Sequence, residues 1–189
     1  MTTQEKNGIT EGVIWKQLLI FFFPILVGSF FQQLYNTVDS VIVGQFVGKE
    51  ALSSVVGSAG QIISLVVGFF TGVSTGATVI ISQYFGAGKK EEIEESLHTA
   101  YAFALVGGLV LGIAGIVFAP QMLRWMNTPE ELIAESVLYV RVYFSGLIFI
   151  FIYNMGAAIL RAVGDSKRPL YYLIVCSVVN IILDLLLIL

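Results

Sequence analysis

Long intervals without a charged side chain dominate this sequence. They run over 17–38, 51–88, 96–123 and 142–160, and a further one starts at Pro169 and is broken only by Asp184. A helix needs about 20 mainly apolar residues to cross the hydrocarbon of a bilayer, so each interval is long enough to span. None shows the apolar and polar alternation of a membrane strand. The expected elements are five helices over about 14–43, 52–82, 97–119, 133–160 and 169–189, an all-α transmembrane fold.

Composition removes the alternatives. With 57% hydrophobic and 12% charged residues and a mean hydropathy of +0.87, the charge density is about half that of a soluble domain. The Lys, Arg, Asp and Glu present could barely coat a water-facing surface. The formal net charge is −3 and no basic cluster stands on one face, which excludes a nucleic-acid partner. Cys176 is the single cysteine, so no internal disulfide forms, and it reads as a small buried apolar residue. His98 cannot build a metal cluster with Cys176 alone, and no Ser or Cys pairs recognisably with it, so an enzyme is not expected.

Lys and Arg in short loops stay on the cytoplasmic side. Lys6, Lys16, Lys89, Lys90, Arg161, Lys167 and Arg168 fall on one side and Lys49, Arg124 and Arg141 on the other, which places the N terminus in the cytoplasm. The first twelve residues lack the layout of a cleaved signal, so the first helix is expected to be retained as the targeting signal. The first, third and fifth helices then run outward. Turns are expected at 44–50, at 86–90 and at 164–169, each marked by glycine. The acidic run 91–95 suits the first turn of a helix, where the macrodipole favours negative charge.

Several residues inside the spans need explaining. Gly68, Gly72 and Gly76 stack on one helix face, which either lets a neighbouring helix approach closely or supplies a smooth face that slides. Pro24 removes a backbone hydrogen bond within the first span, giving a static bend or a hinge. Asp39 and Asp184 are the strongest chemical signal, because a carboxylate at membrane depth costs several kcal/mol and normally faces a cavity, an ion path or a partner. Counted along outward-running helices both fall in the outer half of the membrane, unless Asp39 is solvated at the interface and Asp184 snorkels from a frayed end. Asn180 shares the face of Asp184, and Gln32, Asn36 and Asp39 form a polar stripe on the first helix. Two carboxylates with an amide oxygen suit a hard cation or a shared proton. That is the chemistry of a cation-coupled secondary transporter.

At these residues the chain resembles the multidrug and toxic compound extrusion family. The resemblance rests on Pro24; on the stretch 34–39 with Tyr35, Asn36 and Asp39, continuing to Gly44 and Gly48; and on Gly72 and Gly76 leading into 82–88. It continues through 159–169, with Arg161, Gly164, Asp165 and Pro169, and ends on Asn180 and Asp184. It implies a twelve-helix antiporter of two six-helix lobes in the cell membrane, exporting cationic or amphipathic organic compounds against entry of sodium or protons. This chain would supply five helices of the N-terminal lobe, and the remaining helices of the full-length transporter would be its partners along with the lipid bilayer. The resemblance further implies that Asp39, Asn180 and Asp184 form the cation site, holding sodium or a proton with no other cofactor. Gln32, Tyr35, Asn36 and Asn154 are the expected substrate-cavity residues, Asn154 by its likeness to a cavity-lining position although it stands close to the cytoplasmic Arg161. A flippase of lipid-linked precursors, from the related superfamily, would favour a strongly cationic cavity, whereas the charges within these spans are mainly acidic. A non-transporting membrane scaffold would leave Asp39 and Asp184 without a purpose.

Overall fold

The computed structural model describes residues 13–42, 44–45, 53 and 56–188, without the side chains of 185, 187 and 188. Among the described residues the chain is entirely helical: α1 (Ile14–Ile42), α2 (Ser58–Gly86), α3 (Lys90–Trp125), α4 (Glu130–Ser145), α5 (Leu147–Ala162) and α6 (Lys167–Ile188). The expected outer turn at 44–50 is described only at residues 44 and 45. Lys6, Gly48, Lys49 and the expected start of the second helix at 52 lie outside the described residues.

Helices α1, α2 and α3 are each long and apolar enough to cross a membrane, and so is the bent pair α4 and α5 taken together. At 22 residues, α6 has the length of a span. The third helix starts at Lys90 rather than near 97, because the acidic residues Glu91 and Glu92 form its first turn and extend it beyond the apolar stretch. The fourth apolar interval, expected as one helix over 133–160, is two helices that meet at Gly146 with a 49° bend. The short turns before α3 and before α6 each depend on a left-handed glycine, Gly88 at φ 71° and Gly164 at φ 91°. After the second of these, Asp165 Oδ1 accepts the N–H groups of Lys167 and Arg168 at 3.1 Å each and so starts α6.

The core lies between α2, α3, α4 and α5, where Ile81, Leu123, Val140, Leu147, Phe151 and Met155 are fully buried. Phe70 of α2 stacks on Phe151 of α5, with ring centroids 3.4 Å apart. Along α3 the buried positions Ala100, Ala104, Gly108, Gly112, Gly115 and Ala119 make a strip of small residues, and the α4–α5 elbow lies on it. A Cβ on Gly108 would stand 3.0 Å from Ile148 Cα, one on Gly112 would stand 3.1 Å from the Phe144 carbonyl, and one on Gly115 would overlap the Phe144 ring.

Gly68, Gly72 and Gly76 of α2 are exposed, and among the described residues nothing lies within 4 Å of where a Cβ would be built on any of them. The close helix contact within this chain is made at the α3 strip, because the elbow brings its backbone to that helix. Cys176 is likewise exposed on α6 rather than buried.

Pro120 interrupts α3 with no N–H to offer its preceding turn, which strands the carbonyl of Ile116. Arg141 of α4 supplies the missing donor, its Nε bonding to Ile116 O at 3.1 Å. Pro24 is buried inside α1, whose helix continues on both sides of it.

Candidate cation site

Helices α1 and α6 form a pair beside the core and contribute no residue to the core cluster. They pack together at Gly28, where a Cβ would stand in ordinary van der Waals contact with Leu173 Cδ2 at 3.5 Å and Leu170 Cδ1 at 3.6 Å. About three turns further along both helices Asp39 meets Asp184, so the two run parallel at matched rise.

The carboxyl groups of Asp39 and Asp184 lie within side-chain hydrogen-bonding range of each other. Asp39 Oδ1 and Asn180 Oδ1 are nonetheless buried with no hydrogen-bond partner. Bare acceptors of this kind are costly in a packed interior, and Asn180 stands one helical turn before Asp184 on the same face of α6. A hard cation or a shared proton meets that need. Among the described residues no three His, Cys, Asp or Glu side chains converge as a transition-metal site would require.

Tyrosines surround the pair. Tyr35 of α1 is within hydrogen-bonding range of the Gln32 side chain and close enough to Asp39 to feel its charge. Tyr139 of α4 also senses Asp39, and Tyr143 stands against it with ring centroids 6.5 Å apart. Neither α4 tyrosine is legible as a site residue in the sequence, since the one available signal is two tyrosines spaced by one helical turn. Asp39, Tyr35, Asn180 and Asp184 are half-buried, and Gln32 and Asn36 are exposed on α1. Asn154 stands apart from this group. It lines a separate pocket of about 310 Å³ with Ser74, Thr78 and Arg161, and its Nδ2 donates to Ile150 O at 2.9 Å.

Parallel apolar helices that bury an acidic pair beside a helical core describe a membrane transport protein. Likeness to known proteins makes the class specific: the MatE family model matches residues 24–186, and the chain belongs to the multidrug and toxic compound extrusion family. It is 33% identical over 183 residues to "Probable multidrug resistance protein YoeA" of Bacillus subtilis (strain 168), covering 97% of this chain and 39% of that protein. It is 34% identical to "Probable multidrug resistance protein YpnP" of the same organism, covering 92% of this chain and 39% of the relative. A solved outward-facing multidrug resistance MATE family transporter of the MOP superfamily superposes with a TM-score of 0.88 at 26% identity, covering 97% of this chain and 40% of that one. The chain thus spans about two fifths of the length of the relatives it matches.

Proposed function

We propose that this chain supplies five helices of the six-helix N-terminal lobe of a cation-coupled antiporter of the cell membrane, with its N terminus in the cytoplasm, which exports cationic or amphipathic organic compounds against sodium or proton entry. The observation that carries the reading is the apposition of Asp39 and Asp184 beside Asn180, with two buried oxygens left bare. A cation or proton bound there would tie α1 to α6, and its release would let the pair separate. Binding energy spent on that pairing would couple ion entry to drug release, with the ion favouring one of two helix arrangements. Gln32, Tyr35 and Asn36 on α1 would then respond to the state of the site, as the α1 face on which substrate is held. Asn154 would line a second, separate part of the cavity. Twelve helices in two lobes and the substrates themselves belong to the same proposal, as does the absence of enzymatic chemistry.

The test is efflux of a fluorescent organic cation from vesicles containing the full-length protein under an imposed sodium or proton gradient. Asp39→Asn and Asp184→Asn should each abolish gradient-driven export without lowering the amount of protein in the membrane, and Asn180→Ala should weaken it less. The double Asp variant should be little worse than either single one, because groups acting as a unit are not additive. Export at wild-type rates in either Asp variant sinks the shared site.

A further inference from the structure

Helices α2 and α3 are joined by the tight turn at Gly88 and meet again where Phe70 packs against Phe103 and Gly107, and between these two points a crevice of about 580 Å³ opens, with Met155 of α5 also lining it. Its two ends differ in chemistry. Val73, Ile80 and Phe103 line the deep end, and Tyr84, Glu92 and Glu95 the end beside the turn. Gly76 also lines it, and the open space at its missing Cβ keeps the crevice from being filled by its own helix.

The rim already displays the group it favours. The Lys89 ammonium lies 3.1 Å from Glu92 Oε1 and 5.9 Å from the centroid of the Tyr84 ring, a primary ammonium held by a carboxylate and an aromatic ring. Glu95, one turn on from Glu92, has no ion pair among the described residues and is exposed. Depth sets what can reach it. The 36 residues of α3 extend roughly 54 Å against a hydrocarbon core of about 30 Å. Its acidic first turns therefore sit at headgroup level while Phe103 and Val73 reach into the hydrocarbon. A crevice with carboxylates at headgroup level and an apolar floor below has the outline of one lipid whose zwitterionic head carries an ammonium.

We propose that the α2–α3 crevice binds a phospholipid with a primary-ammonium headgroup, whose ammonium displaces that of Lys89 from Glu92 and the Tyr84 ring and is also held by Glu95, with an acyl chain along Val73, Ile80 and Phe103. The lipid phosphate falls near Lys89 and Lys90, which open α3. A trimethylated head has no N–H to donate to a carboxylate, and a glycerol head has no charge to offer, so the site discriminates among bilayer lipids. It lies on other helices than the Asp39 and Asp184 pair and holds its lipid whether or not the protein exports.

The experiment is native mass spectrometry of the delipidated full-length protein after equilibration with equal amounts of phosphatidylethanolamine, phosphatidylcholine and phosphatidylglycerol. Phosphatidylethanolamine should be retained several-fold over the other two. Glu92→Gln combined with Glu95→Gln should reduce its retention to the phosphatidylcholine level, and Gly76→Leu should do the same by filling the crevice. Thermal unfolding of each variant checks the fold, and if Gly76→Leu unfolds, the two surface glutamates decide the matter. Equal retention of all three lipids overturns the proposal, as does a preference that survives the double Gln substitution. Displacement of bound lipid by tetraphenylphosphonium without any headgroup preference also overturns it, and would make the crevice a docking place for organic cations.

Discussion

Two glycine strips of similar spacing meet opposite fates in this molecule. Gly108, Gly112 and Gly115 of α3 are buried under the elbow of α4 and α5, whereas Gly68, Gly72 and Gly76 of α2 lie open. Glycines one turn apart make a smooth groove in either helix, and the spacing cannot say whether anything enters it. The neighbour decides. At Gly146 the chain bends by 49°, which lays Phe144 and Ile148 along the α3 strip on either side of the corner. No described element bends towards the α2 strip, and its lower end instead opens into the α2–α3 crevice.

The largest effect should come from the closed strip. Gly115→Ala drives a methyl into the Phe144 ring, and overpacking of a buried contact costs about 3 kcal/mol. It should lower the unfolding temperature of the purified protein, and adding Phe144→Leu should restore part of the loss. A stable Gly115→Ala protein with no compensating change would show that the elbow does not sit on α3. Next in size is the hydrogen bond that closes the Pro120 gap. Arg141→Met should cost about 1 kcal/mol, and the loss should shrink in a Pro120→Ala background, where the helix supplies its own N–H. Equal losses in both backgrounds would remove Arg141 from that role. The smallest effect has the opposite sign. Gly72→Ala adds a methyl in open space and removes a helix-interior glycine, so it should stabilise by about 0.5–1 kcal/mol in thermal unfolding. Destabilisation instead would reveal a segment beyond this chain packed on the α2 strip.

How far the sequence can be read depends on how unusual each residue is for its surroundings. Asp39 and Asp184 are conspicuous because charge is rare in apolar helices, and their matched position along two helices expected to run the same way is enough to pair them from the sequence alone. Tyr139 and Tyr143 carry no such contrast, since tyrosine is ordinary in a membrane helix, and the place of Tyr139 beside Asp39, with Tyr143 next to it, emerges only from the packing of α4. The helices follow from gaps between charges, but the break at Gly146 does not, because 142–160 is one uncharged interval and a glycine within it is compatible with an unbroken span. The expected start of α3 near 97 falls too late for a related reason. Apolar length measures what lies in hydrocarbon, and the charged turns at Lys90, Glu91 and Glu92 lie outside that measure while still being helical.

The pairing of α1 with α6 also has a consequence for biosynthesis. Asp39 is made early and Asp184 near the end of this stretch, so at about 5–20 residues per second a ribosome needs roughly 7 to 30 s to travel from one to the other. Throughout that interval the first helix must reside in or beside the translocon with its carboxylate lacking the partner that the folded protein provides. Helices α2 to α5 can meanwhile assemble around Phe151 and Leu147, since none of their core contacts waits for α6. The pairing of Asp39 with Asp184 thus follows assembly of that core, closed by docking of α6 onto a helix synthesised well before it.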